Sequence, residues 1–262
     1  MKLRIVTATR GQSPFLGEML ASVRAIPGAI EHVIVCPPSA VEALAAQVTN
    51  ARVVPETGAG LYAALNQGWR EPPGDWDAFT WINDDDRLVA PGFAGVVAKV
   101  ERDPQVEIAY GRVDLIDGRG APVGGLPVAN RPDDLAALFA RGIIPFAQPG
   151  TIIRRRICER LGGFDEGYRV VGDMDFFVRA LATGAKFAFV DVLAASFRLR
   201  AGQLSKRPDV AAETARALRR LGGTRGSAAA LVRFRLANWR NYFDRIRRHG
   251  FVSMRELYDR TA

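Results

Sequence analysis

Short apolar runs rich in β-formers alternate with segments of helical periodicity through the first third of this chain, and no other feature restricts its fold as much. The runs are Leu3-Arg4-Ile5-Val6-Thr7, Val33-Ile34-Val35, Ala51-Arg52-Val53-Val54 and Phe79-Thr80-Trp81-Ile82. Between the first two, Ser13 reads as an N-cap with Pro14 at the first helical position. Phe15, Leu16, Met19, Leu20 and Val23 then recur at helical spacing. Ser39 opens a second helix to about residue 48, and residues 61–70 form a third that Pro72-Pro73-Gly74 stops. Strands alternating with helices predict an α/β fold, a doubly wound parallel sheet flanked by helices. Ligands of such sheets bind beyond the carboxyl ends of the strands, which would gather residues 7–10, 56–60 and 83–86.

The last of those segments is Asn83-Asp84-Asp85-Asp86. Three adjacent carboxylates repel one another, so the run is either a solvated acidic turn or a set of hard oxygen ligands beside a divalent cation. Residues 91–100 read as a helix, and residues 107–116 with 121–123 as a hairpin around Asp117-Gly118. A short helix over 133–140, a strand over 151–153 and a basic helix over 154–161 follow. A second acidic constellation comes next, Gly162-Gly163-Phe164-Asp165-Glu166 followed by Asp173-Met174-Asp175. Asp173 stands where a loop turns into an apolar helix, a position that also suits an N-cap. No G-x-G-x-x-G follows the first strand and no G-x-x-x-x-G-K-[ST] occurs, which argues against dinucleotide-binding and P-loop enzymes. The glycine-rich loop and lysine of sugar-phosphate nucleotidyltransferases are missing from the first strand as well.

Taken in order, five stretches resemble the inverting nucleotide-sugar glycosyltransferases of family 2, which have the Rossmann-like GT-A fold. They are residues 14–23, Gly60-Leu61-Tyr62-Ala63-Ala64-Leu65-Asn66-Gln67-Gly68, Ile82-Asn83-Asp84-Asp85-Asp86, the Gly-Gly-Phe-Asp-Glu and Asp-Met-Asp block, and Phe197-Arg198-Leu199-Arg200-Ala201-Gly202-Gln203-Leu204-Ser205. The resemblance covers roughly residues 3–205. It implies Asp85 as ligand of a divalent cation, manganese or magnesium, with Asp86 in support and Asn83 and Asp84 toward the ribose. It makes Asp173 the base that takes the acceptor hydroxyl's proton, and puts Arg198 and Arg200 on the diphosphate. Thr7 and Glu56 stand where the family contacts the nucleotide, and Asn66, with Tyr62, would line the donor pocket unless Tyr62 packs in the core. The sequence also departs from the family. Val35-Cys36-Pro37-Pro38-Ser39 lacks the Asp that reads the nucleobase, Ala63 replaces another Asp, and Arg200 stands where a His is common. Nucleotide identity is therefore left open, and Arg200 could replace part of the metal's charge.

Residues 1–205 are expected to form the catalytic domain and 206–262 a basic helical C-terminal extension. Residues 206–248 hold twelve Lys or Arg against three Asp or Glu, more than the whole excess of a chain whose net charge is +8. Helices are expected over 211–221 and 228–248. Val232, Leu236, Trp239, Phe243 and Ile246 form one stripe at spacings of three and four, read either as a face packed on the body or a second copy, or as a membrane-surface helix. With no basic stripe on the body and no known motif in the tail, nucleic acid is not an expected partner. The expected partners are a nucleotide-sugar donor and a glycan, lipid-linked or other hydroxyl acceptor. Cys36 and Cys158 have no metal-ligand spacing and read as small buried hydrophobes. No run reaches the ~18–20 apolar residues of a membrane span, so a cytoplasmic protein is expected, with a peripheral place at the inner membrane face as one option. Two other functions compete: a catalytically silent homologue that binds nucleotide or glycan as a partner subunit, and a metal-dependent phosphoryl-transfer enzyme. The second would leave the Gly-Gly-Phe-Asp-Glu and Asp-Met-Asp block without a role.

Overall fold

The structure, a computed structural model, describes residues 1–72, 74–200, 209–222, 225–251 and 256. Residues 201–205 of the closing motif, with Lys206 and Arg207, lie outside the described residues. The chain begins β1 (Lys2–Ala8), α1 (Leu16–Arg24), β2 (Ala29–Cys36), α2 (Val41–Gln47), β3 (Arg52–Pro55) and α3 (Leu61–Arg70). It continues β4 (Ala78–Trp81), β5 (Arg87–Leu88), α4 (Ala90–Arg102), β6 (Ile108–Ile116), β7 (Pro122–Gly125), α5 (Leu135–Phe139), β8 (Thr151–Arg154) and α6 (Arg155–Leu161). Then come α7 (Gly172–Ala182), β9 (Phe187–Arg198), α8 (Val210–Leu218), α9 (Ala228–Ala237) and α10 (Trp239–His249).

One sheet runs in the order β3-β2-β1-β4-β8-β6-β9-β5, with β7 paired to β6. Strands β1 to β4, β6 and β9 point one way and β5, β7 and β8 the other, so the sheet is mostly parallel, as the strand–helix alternation predicts. It is not wholly parallel, because β8 inserts antiparallel between β4 and β6. The hairpin expected around Asp117-Gly118 is β6–β7. Strand β9 was not expected, since its burial does not alternate cleanly over its twelve residues.

Period-two alternation builds the core on both faces of the sheet. Leu3 and Ile5 of β1, Ile34 of β2 and Ala78 of β4 meet the layer of α1, α2 and α4. Val6, Val33, Val35, Phe79 and Trp81 meet the layer of α3, α6 and α7. There Trp81 stacks on Phe177 and meets Phe164 edge-on with ring centroids 4.9 Å apart, and Phe164 leans on Phe176. These contacts fix α7 against the carboxyl end of β4, so the two acidic stretches are carried on a shared aromatic floor.

Two helix ends differ from expectation. Helix α1 starts at Leu16 rather than Pro14, because the Ser13 hydroxyl donates to the Asp84 carbonyl at 2.9 Å and so serves the acidic loop. The single helix expected over 228–248 is two, α9 and α10, which meet at Asn238. Among the described residues no helix is long and apolar enough to cross a membrane.

Candidate active site

The carboxyl ends of β1, β2 and β4 open into a cleft of about 1120 Å³, closed on its far side by the segment that leads into α7. Backbone bonds align the floor: Thr9 N donates to the Val35 carbonyl, Glu56 N to the Cys36 carbonyl and Ile82 N to the Val6 carbonyl. The lining includes Thr9, Arg10, Glu56, Asn83, Asp84, Asp85, Glu166, Arg169, Asp173 and Arg200. The two acidic constellations therefore face one space, as the topology predicts for strand ends.

The three carboxylates of the first constellation have different settings. Thr9 Oγ1 donates to Asp84 Oδ2 at 2.5 Å, while burial, helped by the Asp85 charge, still raises the Asp84 pKa. Asp85 is 5% exposed and forms an ion pair with the Arg200 guanidinium, which extends from the end of β9. Asp86 is buried beneath the loop, where Asn83 Nδ2 donates to one oxygen at 3.1 Å and Arg198 N to the other at 2.9 Å. Complete burial, with Asp85 nearby, pushes its pKa well above the usual carboxylate range. Asp86 is thus a structural carboxyl that shapes the loop and does not line the cleft. Among the described residues no three His, Cys, Asp or Glu side chains converge as a metal-ligand set.

Arg198 is placed differently from its neighbour Arg200. It is fully buried, donates Nε to the Asp85 carbonyl at 2.9 Å and Nη2 to Glu18 at 2.7 Å, and lies 4.1 Å over the Phe15 ring. It braces the acidic loop from below. Thr7 is buried too, on the same face of β1 as Leu3 and Ile5, with its hydroxyl 3.0 Å from His32 Nε2. Burial lowers the His32 pKa to about 4, so that ring is neutral. Asn66 is buried and ties the 163–166 turn to α3: its Nδ2 donates to the Phe164 carbonyl and Glu166, and Phe164 N donates to its Oδ1 at 2.8 Å. A Cβ at Gly163, where φ is +87°, would stand 2.3 Å from that Oδ1, so the turn needs glycine twice over. The structure therefore brings Glu56, Asn83, Asp84, Asp85, Asp173 and Arg200 to the cleft, and places Thr7, Asn66, Asp86 and Arg198 around it as supports.

Opposite the acidic loop, Asp173 sits in the first turn of α7. Its Oδ1 accepts from Met174 N at 2.8 Å and lies 3.5 Å from the Tyr62 hydroxyl, which donates to the Val170 carbonyl at 2.6 Å. A Cβ at Gly172 would meet the Tyr62 ring at 2.7 Å, so this close approach also depends on glycine. Protein surrounds the carboxylate although part of it reaches the cleft. Burial raises its pKa to about 6, against the opposing pull of its hydrogen bonds.

The sequence pattern did not point to what holds this segment. Glu213 of α8 accepts from three successive backbone N–H groups, Arg169 at 2.8 Å, Val170 at 2.9 Å and Val171 at 3.0 Å. Burial would raise its pKa, but these bonds outweigh burial and lower it. Arg216 and Arg220 both pair with Asp165 at 2.9 Å, and Arg220 reaches Asp175 at 2.6 Å. Spacing could have suggested this grip, since Glu213, Arg216 and Arg220 fall three and four apart on one face. Thr9 and Arg10 belong to the 7–10 segment expected at the strand ends, whereas Arg169, between the two halves of the second acidic block, was not singled out.

Strand ends, cleft and helical layers together make a glycosyltransferase-like α/β fold, the fold of the solved structures that this chain matches. TarS 1–349 from S. aureus in complex with UDP-GlcNAc matches with a TM-score of 0.65 at 15% identity, over 100% of this chain and 79% of that one. The mannosyltransferase PcManGT from Pyrobaculum calidifontis, in complex with GDP-Man and Mn2+, matches with a TM-score of 0.56 at 16% identity, over 98% and 85%. In a further S. aureus TarS structure, at a TM-score of 0.60 and 14% identity, the match takes in 83% of this chain and spans only 39% of that one. No protein-family model matches the chain, and no curated protein matches it in sequence.

Proposed function

We propose that this chain transfers a sugar from a nucleotide-sugar donor to an acceptor hydroxyl, with inversion at the anomeric carbon. The observation that carries the reading is one cleft with two unlike carboxylate sites: Asp85 paired with Arg200, and Asp173 held at a raised pKa across from it. In its ionised form Asp173 takes the acceptor hydroxyl's proton as that oxygen attacks the anomeric carbon. The bond from that carbon to the diphosphate breaks, and the leaving nucleoside diphosphate keeps the electron pair. Arg200, with Arg10 and Arg169 at the rim, supplies positive charge to it. Attack from the side opposite the leaving group inverts the centre in one step. Thr9, Asp84 and Asn83 face the region of the ribose, with Glu56 beside the nucleotide.

A divalent cation, when bound, would lower the barrier by neutralising the diphosphate. The donor set fits such an ion only sparingly. Asp85, with Asp84 beside it, would hold the ion, and hard cations of this kind accept one or two carboxylates when substrate phosphates complete the shell. Arg200 already lies on Asp85, so the guanidinium and the cation would share one carboxylate, and metal dependence should be weaker than in a site with free carboxylates.

In this reading residues 1–205 form the catalytic domain, and 206–262 an extension whose first helix serves it. Glu213 is a positioning residue: by binding the N–H groups of Arg169, Val170 and Val171 it sets the turn that aims Asp173. The acceptor is a glycan, lipid-linked or other hydroxyl, and surface polysaccharide or glycoconjugate synthesis is the process we favour, on the resemblance described above. The silent-homologue reading is favoured by the missing base-reading Asp in the 35–39 stretch, where Pro37 lines the cleft, and by Ala63. A binding panel of UDP, GDP, dTDP and CDP with and without manganese, followed by assay of the product's anomeric configuration, tests the proposal. One nucleotide should bind and the product should have the inverted configuration. A retained configuration, or no binding at all, would overturn the assignment.

A further inference from the structure

The tail's second half presents its apolar side to solvent. Helix α9 and helix α10 pack inward through Ala230, Phe234 and Asn238, which are at most 6% exposed. Asn238 is the clamp: Val128 N donates to its Oδ1 at 2.9 Å, and its Nδ2 donates to the Val128 and Phe234 carbonyls at 2.9 and 2.7 Å. This fixes the opposite face outward. Val232 is 55% exposed, Leu236 65%, Trp239 56%, Phe243 62% and Ile246 36%, and Phe251 just beyond is 92% exposed. Eight large apolar side chains are exposed among the described residues, and six of them are these. Such concentration marks an interaction surface rather than ordinary scatter.

Charge selects the occupant. Residues 225–248 carry seven arginines and one acid, a net +6, and the exposed Arg235, Arg240 and Arg247 border the stripe. Arg240 lies 5.4 Å over the Trp239 ring, an amphipathic pair suited to a boundary between water and hydrocarbon. A second copy of this chain would set the exposed Arg235, Arg240 and Arg247 against the same arginines across the contact. An anionic lipid surface takes up the apolar stripe and the arginines together. We propose that the outward face of α9 and α10 docks this chain on anionic lipid.

The position of the ridge gives docking a use. Asn241 donates to the Leu126 carbonyl and His249 lies 2.9 Å from the Val123 carbonyl, so α10 runs back along β7 toward the β6–β7 turn. The carbonyls of Asp117 and Gly118 in that turn accept from Arg198, the brace of the Asp85 loop. The ridge thus ends at the hairpin that abuts the acidic loop, and docking would hold the cleft near acceptors fixed in the same lipid surface. That last step rests on the glycosyl-transfer reading; docking itself does not.

Sedimentation of the full chain with vesicles tests the inference. It should bind vesicles of phosphatidylglycerol and phosphatidylcholine at about 0.1 M salt, bind phosphatidylcholine alone at least about tenfold more weakly, and release as salt rises. Leu236→Glu and Phe243→Glu should abolish binding, and Arg240→Glu and Arg247→Glu should each weaken it about fivefold or more. Melting temperature and nucleotide binding should stay as in the wild type, since all four side chains are exposed. Failure to bind anionic vesicles would overturn the proposal. So would a wild-type dimer that Phe243→Glu converts to monomers, which would give the face to a second copy. Donor turnover on a soluble acceptor, measured without vesicles, separates the two readings: intact turnover with no docking sinks only the membrane surface, and docking without turnover sinks only the transferase.

Discussion

Asp85 and Asp173 are the same residue type on two sides of one cleft, and the surroundings give them different chemistry. Asp85 lies against a guanidinium, so its charge is compensated before any donor arrives. Asp173 has a backbone N–H and a distant phenol as partners, and burial holds its pKa near 6. A carboxylate paired in this way holds a guanidinium in position for a polyanionic ligand. An uncompensated carboxylate poised near neutrality suits proton transfer. The difference shows that in this fold a neighbour's charge, more than a motif's spelling, decides which carboxylate can act as a base.

The largest test of that contrast is Asp173→Asn. It should cost about 10²–10⁴-fold in kcat and leave nucleotide binding intact, as read by steady-state turnover beside calorimetry. The same substitution should stabilise the fold above pH 6. A folded-state pKa raised above the unfolded value favours the protonated form, so stability is fully present below the unfolded pKa of about 4 and is lost as pH rises through 6. Asn lacks that penalty, which amounts to roughly 2–3 kcal/mol. Melting curves at pH 8 should therefore favour the variant, and the gap should close near pH 4.

Asp85→Ala should weaken binding of the nucleoside diphosphate by about tenfold or more and leave Arg200 exposed; equal binding would dissolve the contrast. Glu213→Ala should lower kcat about tenfold with little change in KM and a displaced acid limb of the pH profile, because the base is mis-aimed while donor contacts remain. Glu213→Gln should fall between, since one amide oxygen can still accept. Equal losses in kcat and in donor affinity would mean that Glu213 only holds the fold. The smallest effect is expected of Arg200→Ala. Turnover should fall modestly without added metal and recover more steeply with manganese than the wild type does; no change in metal response would mean that the two cations do not share Asp85.

Much of this site could be seen in the sequence. The strand–helix alternation anticipated the sheet and the gathering of the strand ends, and the five motif stretches led to Asp85, Asp173 and Arg200. Some residues were misplaced for readable reasons. Thr7 is the third of an alternating inward set with Leu3 and Ile5, so period two alone could have sent it to the core, while Thr9, just past the end of β1, reaches the cleft. Asp86 and Arg198 look like cleft groups in one dimension, yet the end of β9 folds over the loop and uses both as bracing. The apolar stripe of the tail is a true helical stripe, but periodicity cannot say which way a helix turns it. Asn238 settles that through tertiary bonds to Val128.

If Asp173 works as a base whose burial sets its pKa, the pH dependence of turnover must follow that one carboxylate. The direct measurement is kcat/KM against pH for the wild type with its matching donor, from about pH 4.5 to 8, since that ratio follows ionisation of the free enzyme. An acid limb should rise about tenfold per pH unit and level off near pH 6, as ionisation of one buried carboxylate requires. A flat profile across that range, or activity that falls as pH rises through 6, would contradict it.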